Sequence, residues 1–546
     1  MPRNIKAIYA SRNSQRAGGP EPDTVQEVGA KAITANAGTR RAAIAAAAAI
    51  LLLVFAVPQA FAYGERETSA DVLQVAMSGN PDTLDPQSTP ATLTFQAARS
   101  MYDTLVEPDE SGVLVPALAE RWEVTDDARE WTFYLREDVS FHHGTPFTAE
   151  DVVATFDRMF RDDIPSPNAD DFGPIDSVEA IDDYTVRFSM SEPFAPLPAA
   201  LASGWGAILP ADLIEEGHDF DTDPVGTGPF EFSEWVQDSR ISLVRNDDYW
   251  QDDLPYLEEI TFNIIVEPSI QVQGLQTGEF HVIDIVNPED VSRIEEDPNA
   301  KLDVSLSGLA MVMPMNTRRE PFDQVDVRRA VNHAIDKERI LEIAYAGGEV
   351  SGTFMDTGDP FFSDFSERYA YDPERARELL READVDLDEE VVIEVPQNYD
   401  PHVTAAQLYQ QMLEDVGFNA SLHLVEWSTW LSDIYGGGDF DLTVIGHTGK
   451  LDPDGRLGEL TREGFYTGWE NEEFESLVDE ARRTADRDER RRLYERAQEI
   501  LAEQVPMVFT GTNFRYIGLR ETVEGFVMDG KLDTYDFRRT RITGEQ

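Results

Sequence analysis

The chain has 546 residues, enough for two or three domains, and its 105 acidic against 45 basic side chains give a formal net charge of −60 at pH 7. The absence of cysteine excludes disulfides, thiolate catalysis and cysteine-ligated zinc, and the negative charge argues against nucleic-acid binding, which needs a clustered basic face. With 41% hydrophobic residues the chain is expected to fold, and its carboxylate-rich surface should repel itself unless high salt screens it, which predicts a salt-adapted protein.

Residues 40–62 have the pattern of an export signal. Arg40 and Arg41 precede an apolar run at 42–57, and Ala60-Phe61-Ala62 supplies the small residues of a cleavage site. We therefore expect cleavage after Ala62 and a periplasmic or cell-surface location. If it is not cleaved, an apolar run of this length could span a bilayer and tether the protein. Residues 1–39 are expected to be a disordered extension.

The next predicted elements are strands at 131–137 and 184–190, where apolar and polar residues alternate. Between them, Thr148 and Asp151 form a capping box that predicts the start of a helix. The apolar stripe of that helix consists of Val152, Phe156, Met159 and Phe160. His142 and His143 lie in the preceding turn, and as chain neighbours they should point to opposite sides, so no metal site is predicted.

The second half of the chain is expected to contain a parallel sheet. Strands are predicted at 391–395, 421–427 and 439–446, with a helix at 404–416 that Gly417 should cap. Strand, helix and strand at this spacing form a crossover unit. A later helix has one apolar face, made of Leu493, Ala497, Ile500 and Leu501.

Segments spread over the whole exported chain resemble one protein family. They lie, in family order, at 80–86, 114–159, 224–236, 245–250, 275–285, 315–340, 371–383 and 474–509. The family is the peptide/nickel class (family 5) of extracytoplasmic solute-binding proteins, which deliver ligands to ATP-binding-cassette (ABC) importers. The resemblance implies a monomeric binding protein that is not an enzyme and has no cofactor. Its partners would be a peptide or small solute and a membrane permease–ATPase complex.

The resemblance also implies an α/β fold of the two-lobed, type II periplasmic-binding-protein class, in its three-domain form. The expected boundaries are 71–104, 191–305 and 519–546 for lobe 1, 105–190 for a small domain inserted in lobe 1, and 306–518 for lobe 2. The chain crosses between the lobes more than once, and the crossings can act as hinges. A ligand in the cleft would contact both lobes and shift the equilibrium to the closed form.

By the same resemblance, the ligand site lies on two loops of lobe 2. Tyr399 falls where a dipeptide-binding member has a pocket tyrosine, and Trp427 matches an aromatic residue of the pocket region. Core packing is the alternative reading of both residues. The second loop contributes the candidates His447, Gly449, Lys450 and Asp452.

Three of these positions depart from the dipeptide-binding pattern. Gln397 stands where dipeptide binders have an arginine for the peptide carboxylate, and Gly449 stands where peptide binders have an aspartate for the α-ammonium. His447 replaces a tryptophan. Loss of both charged partners should weaken binding of zwitterionic dipeptides. Lys450 and Asp452 could supply charges at shifted positions, or be solvated turn residues.

The sequence therefore predicts the binding component of an importer that captures a peptide or oligopeptide. The alternative ligand is a non-peptide polar solute, such as an oligosaccharide, an opine-like compound or a metal chelate. A secreted hydrolase is a third reading with little support, because the chain has no H-E-x-x-H, no G-x-S-x-G and no phosphate-binding G-x-x-x-x-G-K-[ST] motif.

Overall fold

The computed structural model describes residues 72–89, 91–161 and 166–544. The predicted export signal at 40–62 and the extension at 1–39 lie outside these residues. Within the described residues, no helix combines the length and apolar character needed to cross a membrane.

Strands are found from one end of the described chain to the other. They are β1 (Val72–Met77), β2 (Val106–Pro108), β3 (Leu114–Pro116), β4 (Ala119–Val124), β5 (Glu130–Leu135), β6 (Ile175–Asp182), β7 (Thr185–Met190), β8 (Phe230–Val236), β9 (Arg240–Arg245), β10 (Glu259–Ile264), β11 (Val282–Ile283), β12 (Ala300–Pro314), β13 (Gly348–Glu349), β14 (Glu390–Pro396), β15 (Asn419–Val425), β16 (Leu442–Thr443), β17 (Ile445–His447), β18 (Met507–Arg520), β19 (Val523–Glu524), β20 (Val527–Asp529), β21 (Thr534–Asp536) and β22 (Arg541–Ile542). Of these, β12 and β18 are the long ones, with 15 and 14 residues.

Helices are interspersed among these strands. They are α1 (Thr92–Ala98), α2 (Ala149–Met159), α3 (Leu197–Leu201), α4 (Ala211–Glu216), α5 (Pro268–Thr277), α6 (Pro288–Glu295), α7 (Val325–Ala334), α8 (Lys337–Tyr345), α9 (Pro373–Ala383), α10 (Asp400–Val416), α11 (Trp427–Thr429), α12 (Asp454–Leu457), α13 (Glu472–Arg483) and α14 (Arg487–Gln504). A π-helical turn, Trp430–Tyr435, continues α11. The apolar face predicted for the last helix is confirmed: Leu493, Ala497, Ile500 and Leu501 of α14 are buried.

A large mixed sheet has the strand order β17-β12-β18-β11-β1-β10-β9-β8, and β13 also pairs with β18. In this sheet β1 runs parallel to β10 and β11, and the other pairs are antiparallel. The long strands pair as 300–306 with 514–520 and as 310–314 with 507–512. Between these two stretches, residues 307–309 of β12 lie opposite a single residue of β18. They form a β-bulge.

The bulge separates two hydrophobic clusters. On one side, Ala300 packs with β11, α5 and α6. On the other side, Met311 and Met313 pack with α7, α8 and α10. Strand β12 therefore contributes to both clusters, and its pairing with β18 is irregular between the two contributions.

The antiparallel sheet β4-β5-β7-β6 is in contact with α2. The strands predicted at 131–137 and 184–190 are confirmed as β5 and β7, which pair with each other. The capping box of Thr148 and Asp151 is also confirmed. Phe160, the last member of the predicted apolar stripe, lies outside the helix: it is the C-cap after Met159, with φ −93° and ψ 8°, and its side chain is 46% exposed.

The two neighbouring histidines have different partners. The Nε2 atom of His142 donates to the carbonyl of Gly228 at 3.0 Å, and the backbone N–H of Gly226 approaches Nδ1 at 3.3 Å. His143 instead lies 3.1 Å from the carboxylate of Asp212. Burial lowers the pKa of His142 to about 4. In the described chain, no three His, Asp or Glu side chains come together as ligands for a metal ion.

The parallel sheet predicted in the second half is confirmed, with the order β15-β14-β16 and α10 as the crossover helix. Gly417 caps α10 with φ +114°, in the left-handed region that glycine tolerates. The helix begins at Asp400, earlier than predicted, because Pro401 suits its first turn.

Two of the predicted strand ends are wrong. The strand predicted at 421–427 ends at Val425, and Trp427 begins α11. The strand predicted at 439–446 is divided into β16, which pairs with β14, and β17, which pairs with β12 beside the bulge. The division occurs because this segment passes from the parallel sheet to the large sheet.

Candidate functional site

The carboxyl ends of β14 and β15 bring together four residues that follow these strands. Because parallel strands end at a common edge, Gln397 and Tyr399 lie beside Glu426 and Trp427. The backbone N–H of Gln397 donates to the carbonyl of Val425 at 2.9 Å, and its side-chain amide donates to the carboxylate of Glu426. Crevices outside such edges are where open α/β sheets bind ligands.

A row of aromatic rings begins at this edge and runs into the protein. The ring of Tyr399, 39% exposed, is 5.4 Å from that of Trp427 at an interplanar angle of 83°. Trp427 stacks on Trp430 at 5.2 Å and 4°, and Trp430 stacks on Tyr435 at 5.6 Å and 20°. The indole N–H of the buried Trp430 donates to the hydroxyl of Thr443 at 2.9 Å, which fixes the orientation of the stack.

His447 joins the inner end of the row. Its Nε2 atom is 2.8 Å from the hydroxyl of Tyr466, and the ring of Tyr435 is 5.1 Å from that of Tyr466. Burial, with the positive charge of Arg456 nearby, lowers the pKa of His447 to about 3. The imidazole is therefore neutral at any physiological pH, and it takes part in a buried hydrogen-bond network.

Arg456 forms hydrogen bonds both to the loop that begins at His447 and to the bulge of β12. Its guanidinium donates to the carbonyls of His447 at 3.2 Å, Thr448 at 2.8 Å and Gly308 at 2.9 Å. Burial lowers the pKa of Arg456 from its usual value. Three backbone carbonyls from two segments are thus held by one buried cation, which makes the loop geometry depend on this side chain.

Gly449 lies where two other backbones pass close by. A Cβ atom at this residue would be 2.6 Å from the carbonyl oxygen of Lys531 and 2.8 Å from the Cα of Gly308. A Cβ atom at Gly308 would be 2.5 Å from the same carbonyl, and the N–H of Gly308 donates to the carbonyl of Gly530 at 2.8 Å. The aspartate that the resemblance expected at 449 does not fit this junction, and glycine does.

Lys531, whose carbonyl belongs to this junction, also forms ion pairs through its side chain. Its ammonium is 2.6 Å from Asp359 and 3.6 Å from Asp356, and the three side chains are almost fully buried. Burial acts to lower the pKa of Lys531, but the two carboxylates raise it. The C-terminal segment is thereby held against the loop at 356–359.

The two charged candidates of the loop are engaged within the protein. The ammonium of Lys450 is 3.4 Å from the carboxylate of Asp171. The carboxylate of Asp452 accepts two hydrogen bonds from Arg490, at 2.8 and 2.9 Å, and both side chains are buried. Arg490 also donates to the hydroxyl of Tyr494. These contacts account for the charges of both candidates without a ligand.

The seven candidates thus fall into two groups. Gln397, Tyr399 and Trp427 share the carboxyl edge of the parallel sheet, and His447, Gly449, Lys450 and Asp452 belong to the loop beside the bulge. Sequence reasoning missed three further residues: Glu426 at the sheet edge, Tyr435 between the edge and the loop, and Arg456 beside the loop. The spacing of Trp427, Trp430 and Tyr435 after a strand was the available signal for the aromatic row; Arg456 has no comparable signal in the sequence.

Comparisons with known proteins agree with this architecture. The model of the family described as "Bacterial extracellular solute-binding proteins, family 5 Middle" matches residues 113–466. Di/tripeptide-binding protein 1 of Pseudomonas aeruginosa is 32% identical over 510 residues, which cover 87% of this chain and 93% of that protein.

Two solved structures have the same fold. HbpA2 from Haemophilus parasuis is 28% identical, with a TM-score of 0.79, over 86% of this chain and 100% of that chain. The binding protein DppA from Helicobacter pylori, in complex with the peptide STSA, is 28% identical, with a TM-score of 0.68, over 87% and 98%. The two-lobed α/β fold of the periplasmic-binding-protein class is thereby confirmed. The chain belongs to the family 5 bacterial extracellular solute-binding proteins.

Proposed function

We propose that this protein captures peptides and delivers them to the permease and ATPase of an ABC importer, without making or breaking a covalent bond. The observation that carries the proposal is the similarity, over 87% of the chain, to a protein named for binding di- and tripeptides. The match in fold to a binding protein in complex with a four-residue peptide supports it.

The proposed ligand site is the edge formed by Gln397, Tyr399 and Trp427 together with the loop at 447–452. The aromatic row supplies apolar area at this edge, and the exposed ring of Tyr399 is its outermost member. The carbonyls that Arg456 holds fix the backbone of the loop. A site of rings and fixed backbone groups suits peptides of varied sequence, because every peptide offers backbone donors and acceptors.

The proposed lobes are those predicted from the sequence, with 105–190 inserted in the first lobe and 306–518 as the second. Two observations support them. The bulge at 307–309 separates two hydrophobic clusters, close to the predicted boundary. The ion pair between Lys450 and Asp171 joins the loop of the second lobe to the inserted domain, as expected of a cleft that both lobes line.

The proposed route to this location is export with cleavage after Ala62, followed by action as a monomer outside the cytoplasm. The first residue of the secreted protein, determined by N-terminal sequencing, tests the cleavage site. Residue 63 at the N-terminus supports it. Detection of intact 40–62 in the membrane fraction would show that the segment is a tether.

The test of ligand capture is native mass spectrometry of the secreted protein, purified without refolding. A family of co-purified peptide masses is expected, and a single non-peptide mass would overturn the proposal in favour of another polar solute. The variant Tyr399→Ala should lose the ligand, whereas Tyr371→Ala, which truncates a tyrosine that is 52% exposed elsewhere, should keep it. Released peptides should be intact after long incubation, since cleavage would indicate a hydrolase.

A further inference from the structure

The negatively charged side chain of Glu426 has a neutral hydrogen-bond partner. That partner is the amide of Gln397. Among residues 72–89, 91–161 and 166–544, Glu426 forms no ion pair with an arginine, lysine or histidine, and its side chain is exposed. Glu426 and Gln397 directly follow Val425 and Pro396, the last paired residues of β15 and β14, so they lie side by side at the carboxyl edge of the sheet.

The charged candidates of the neighbouring loop differ from Glu426 in this respect. Lys450 is paired with Asp171, and Asp452 is paired with Arg490. A charged ligand group placed against these pairs would have to compete with the existing partner. The carboxylate of Glu426 can instead bind a cation directly. Its hydrogen bond from the uncharged amide of Gln397 can be kept, or lost at a small cost in free energy.

Aromatic residues lie at the same edge of the sheet as Glu426. Trp427 is its neighbour in the chain, and the partly exposed ring of Tyr399 lies 5.4 Å from that of Trp427. The parallel stack of Trp427 on Trp430 fixes the plane of the indole. Electron-rich ring faces attract cations, and a carboxylate at the same edge adds a direct charge interaction. An ammonium or guanidinium group fits both features, whereas a carboxylate or phosphate is repelled by both.

We propose that this edge is the subsite for a positively charged group of the ligand, which contacts the carboxylate of Glu426 and the rings of Tyr399 and Trp427. The inference rests on the peptide capture proposed above and adds the charge class of the bound group. In a peptide that group is either the α-ammonium or the side chain of a lysine or arginine. An arginine at 397 would neutralise Glu426, and Gln397 leaves its charge available.

The experiment compares four tripeptides by isothermal titration calorimetry with the purified protein. They are Ala-Ala-Ala, N-acetyl-Ala-Ala-Ala, Ala-Lys-Ala and Ala-Glu-Ala. If the α-ammonium binds the subsite, acetylation weakens binding about tenfold; if a basic side chain does, Ala-Lys-Ala binds about tenfold more tightly than Ala-Glu-Ala. The variant Glu426→Gln keeps the size of the side chain and can still form hydrogen bonds. In this variant, whichever of the two differences in affinity the wild type shows should fall to less than about threefold.

The matched control is Glu414→Gln. Glu414 is also an exposed carboxylate that accepts a hydrogen bond from a glutamine amide, that of Gln410. It lies near the C-terminal end of α10, about 20 Å along the helix from Asp400 at the N-terminal end. This variant should keep the wild-type preference. A second variant, Gln397→Arg, should remove the preference as Glu426→Gln does, because the new guanidinium forms an ion pair with the carboxylate of Glu426. Thermal unfolding of each variant shows that its fold is retained.

The outcomes are distinct. Wild-type protein that binds tripeptides without regard to charge, or an unchanged preference in Glu426→Gln, would overturn the inference and leave peptide capture intact. Wild-type protein that binds none of the tripeptides, and carries no peptide when purified, would overturn peptide capture and this inference with it. Loss of the preference in Glu426→Gln and Gln397→Arg, but not in Glu414→Gln, would establish the cationic subsite.

Discussion

Arg490, on α14, donates to both carboxylate oxygens of Asp452 from one nitrogen, at 2.8 and 2.9 Å. The pair is buried, and Arg490 also donates to the carbonyl of Ala481 at 3.1 Å. It therefore ties the loop of the candidate site to the two helices α13 and α14. The contact gives Asp452 a structural reason to be charged, separate from any contact with ligand.

Asp452→Asn should destabilise the fold. Removing one partner leaves Arg490 buried without its counter-charge, and the expected loss in the free energy of unfolding is about 3 kcal/mol. Asp479→Asn, which breaks the half-exposed pair with Arg483, should cost less than about 0.5 kcal/mol. Urea unfolding of the variants measures both. An Asp452→Asn protein of wild-type stability with much weaker ligand binding would show that Asp452 serves the ligand instead.

Gly449→Ala should disturb the junction with Gly308 and Lys531. The added Cβ would meet the carbonyl of Lys531 at 2.6 Å, and because that atom belongs to the backbone, a segment must move. We expect a loss of about 1–3 kcal/mol in the free energy of unfolding. Gly544→Ala is the control, since nothing lies within 4 Å of its added Cβ.

Gly449→Asp tests the same junction against the pattern of peptide binders. If the position could accept the family's carboxylate, this variant would keep its stability and gain affinity for free dipeptides. We expect the opposite, a protein at least as destabilised as Gly449→Ala, because the larger side chain must also leave the junction.

His142 should make the fold less stable in acid. Burial lowers its pKa to about 4, whereas the unfolded chain has a pKa near 6.5, so between these values the unfolded state binds a proton that the folded state does not. Its contribution therefore falls as the pH drops from about 6.5 to about 4, by at most about 3 kcal/mol.

The variant His142→Gln isolates this contribution. Its glutamine can still donate to the carbonyl of Gly228 but has no proton to gain. The difference in the free energy of unfolding between wild type and variant, measured by urea titration at several pH values, should shrink or change sign toward acid pH. A difference that is constant from pH 7 to pH 4 would contradict the lowered pKa.

The melting temperature should rise with potassium chloride. The predicted mature chain carries 102 acidic and 38 basic side chains, and the repulsion among them is screened within a few ångströms at about 1 M salt. Differential scanning calorimetry between about 0.05 and 2 M chloride measures the effect. Sucrose, which stabilises by exclusion without screening charge, is the control; an equal rise in sucrose, or no rise in salt, would contradict the prediction.

The parts of the fold that local patterns control were predictable from the sequence. The capping box at Thr148, the cap at Gly417 and the strands at 391–395 and 131–137 depend on neighbours along the chain. The errors lie where distant segments decide the structure. The segment 439–446 was predicted as one strand, but its C-terminal end pairs with β12 and so belongs to a second sheet.

The candidate site shows the same division. Tyr399 and Trp427 became candidates because they lie at or just after the ends of predicted strands that match a family, whereas the partner of Asp452 is 38 residues further along the chain. The reason for glycine at 449 is the carbonyl of Lys531, more than eighty residues away. Such contacts produce no recognisable pattern in the sequence around the residue, so only the structure shows them.

The pairing of β12 with β18 on both sides of the bulge has a mechanical consequence. Sliding one strand along the other would break hydrogen bonds on both sides, whereas twisting at 307–309 leaves both ladders paired. We therefore expect any relative motion of the two hydrophobic clusters to be a rotation about an axis near Gly308. Distances close to that axis change little during such a rotation. Spectroscopic labels intended to report ligand-induced motion belong on the outer faces of the molecule, where the lever arm is longest.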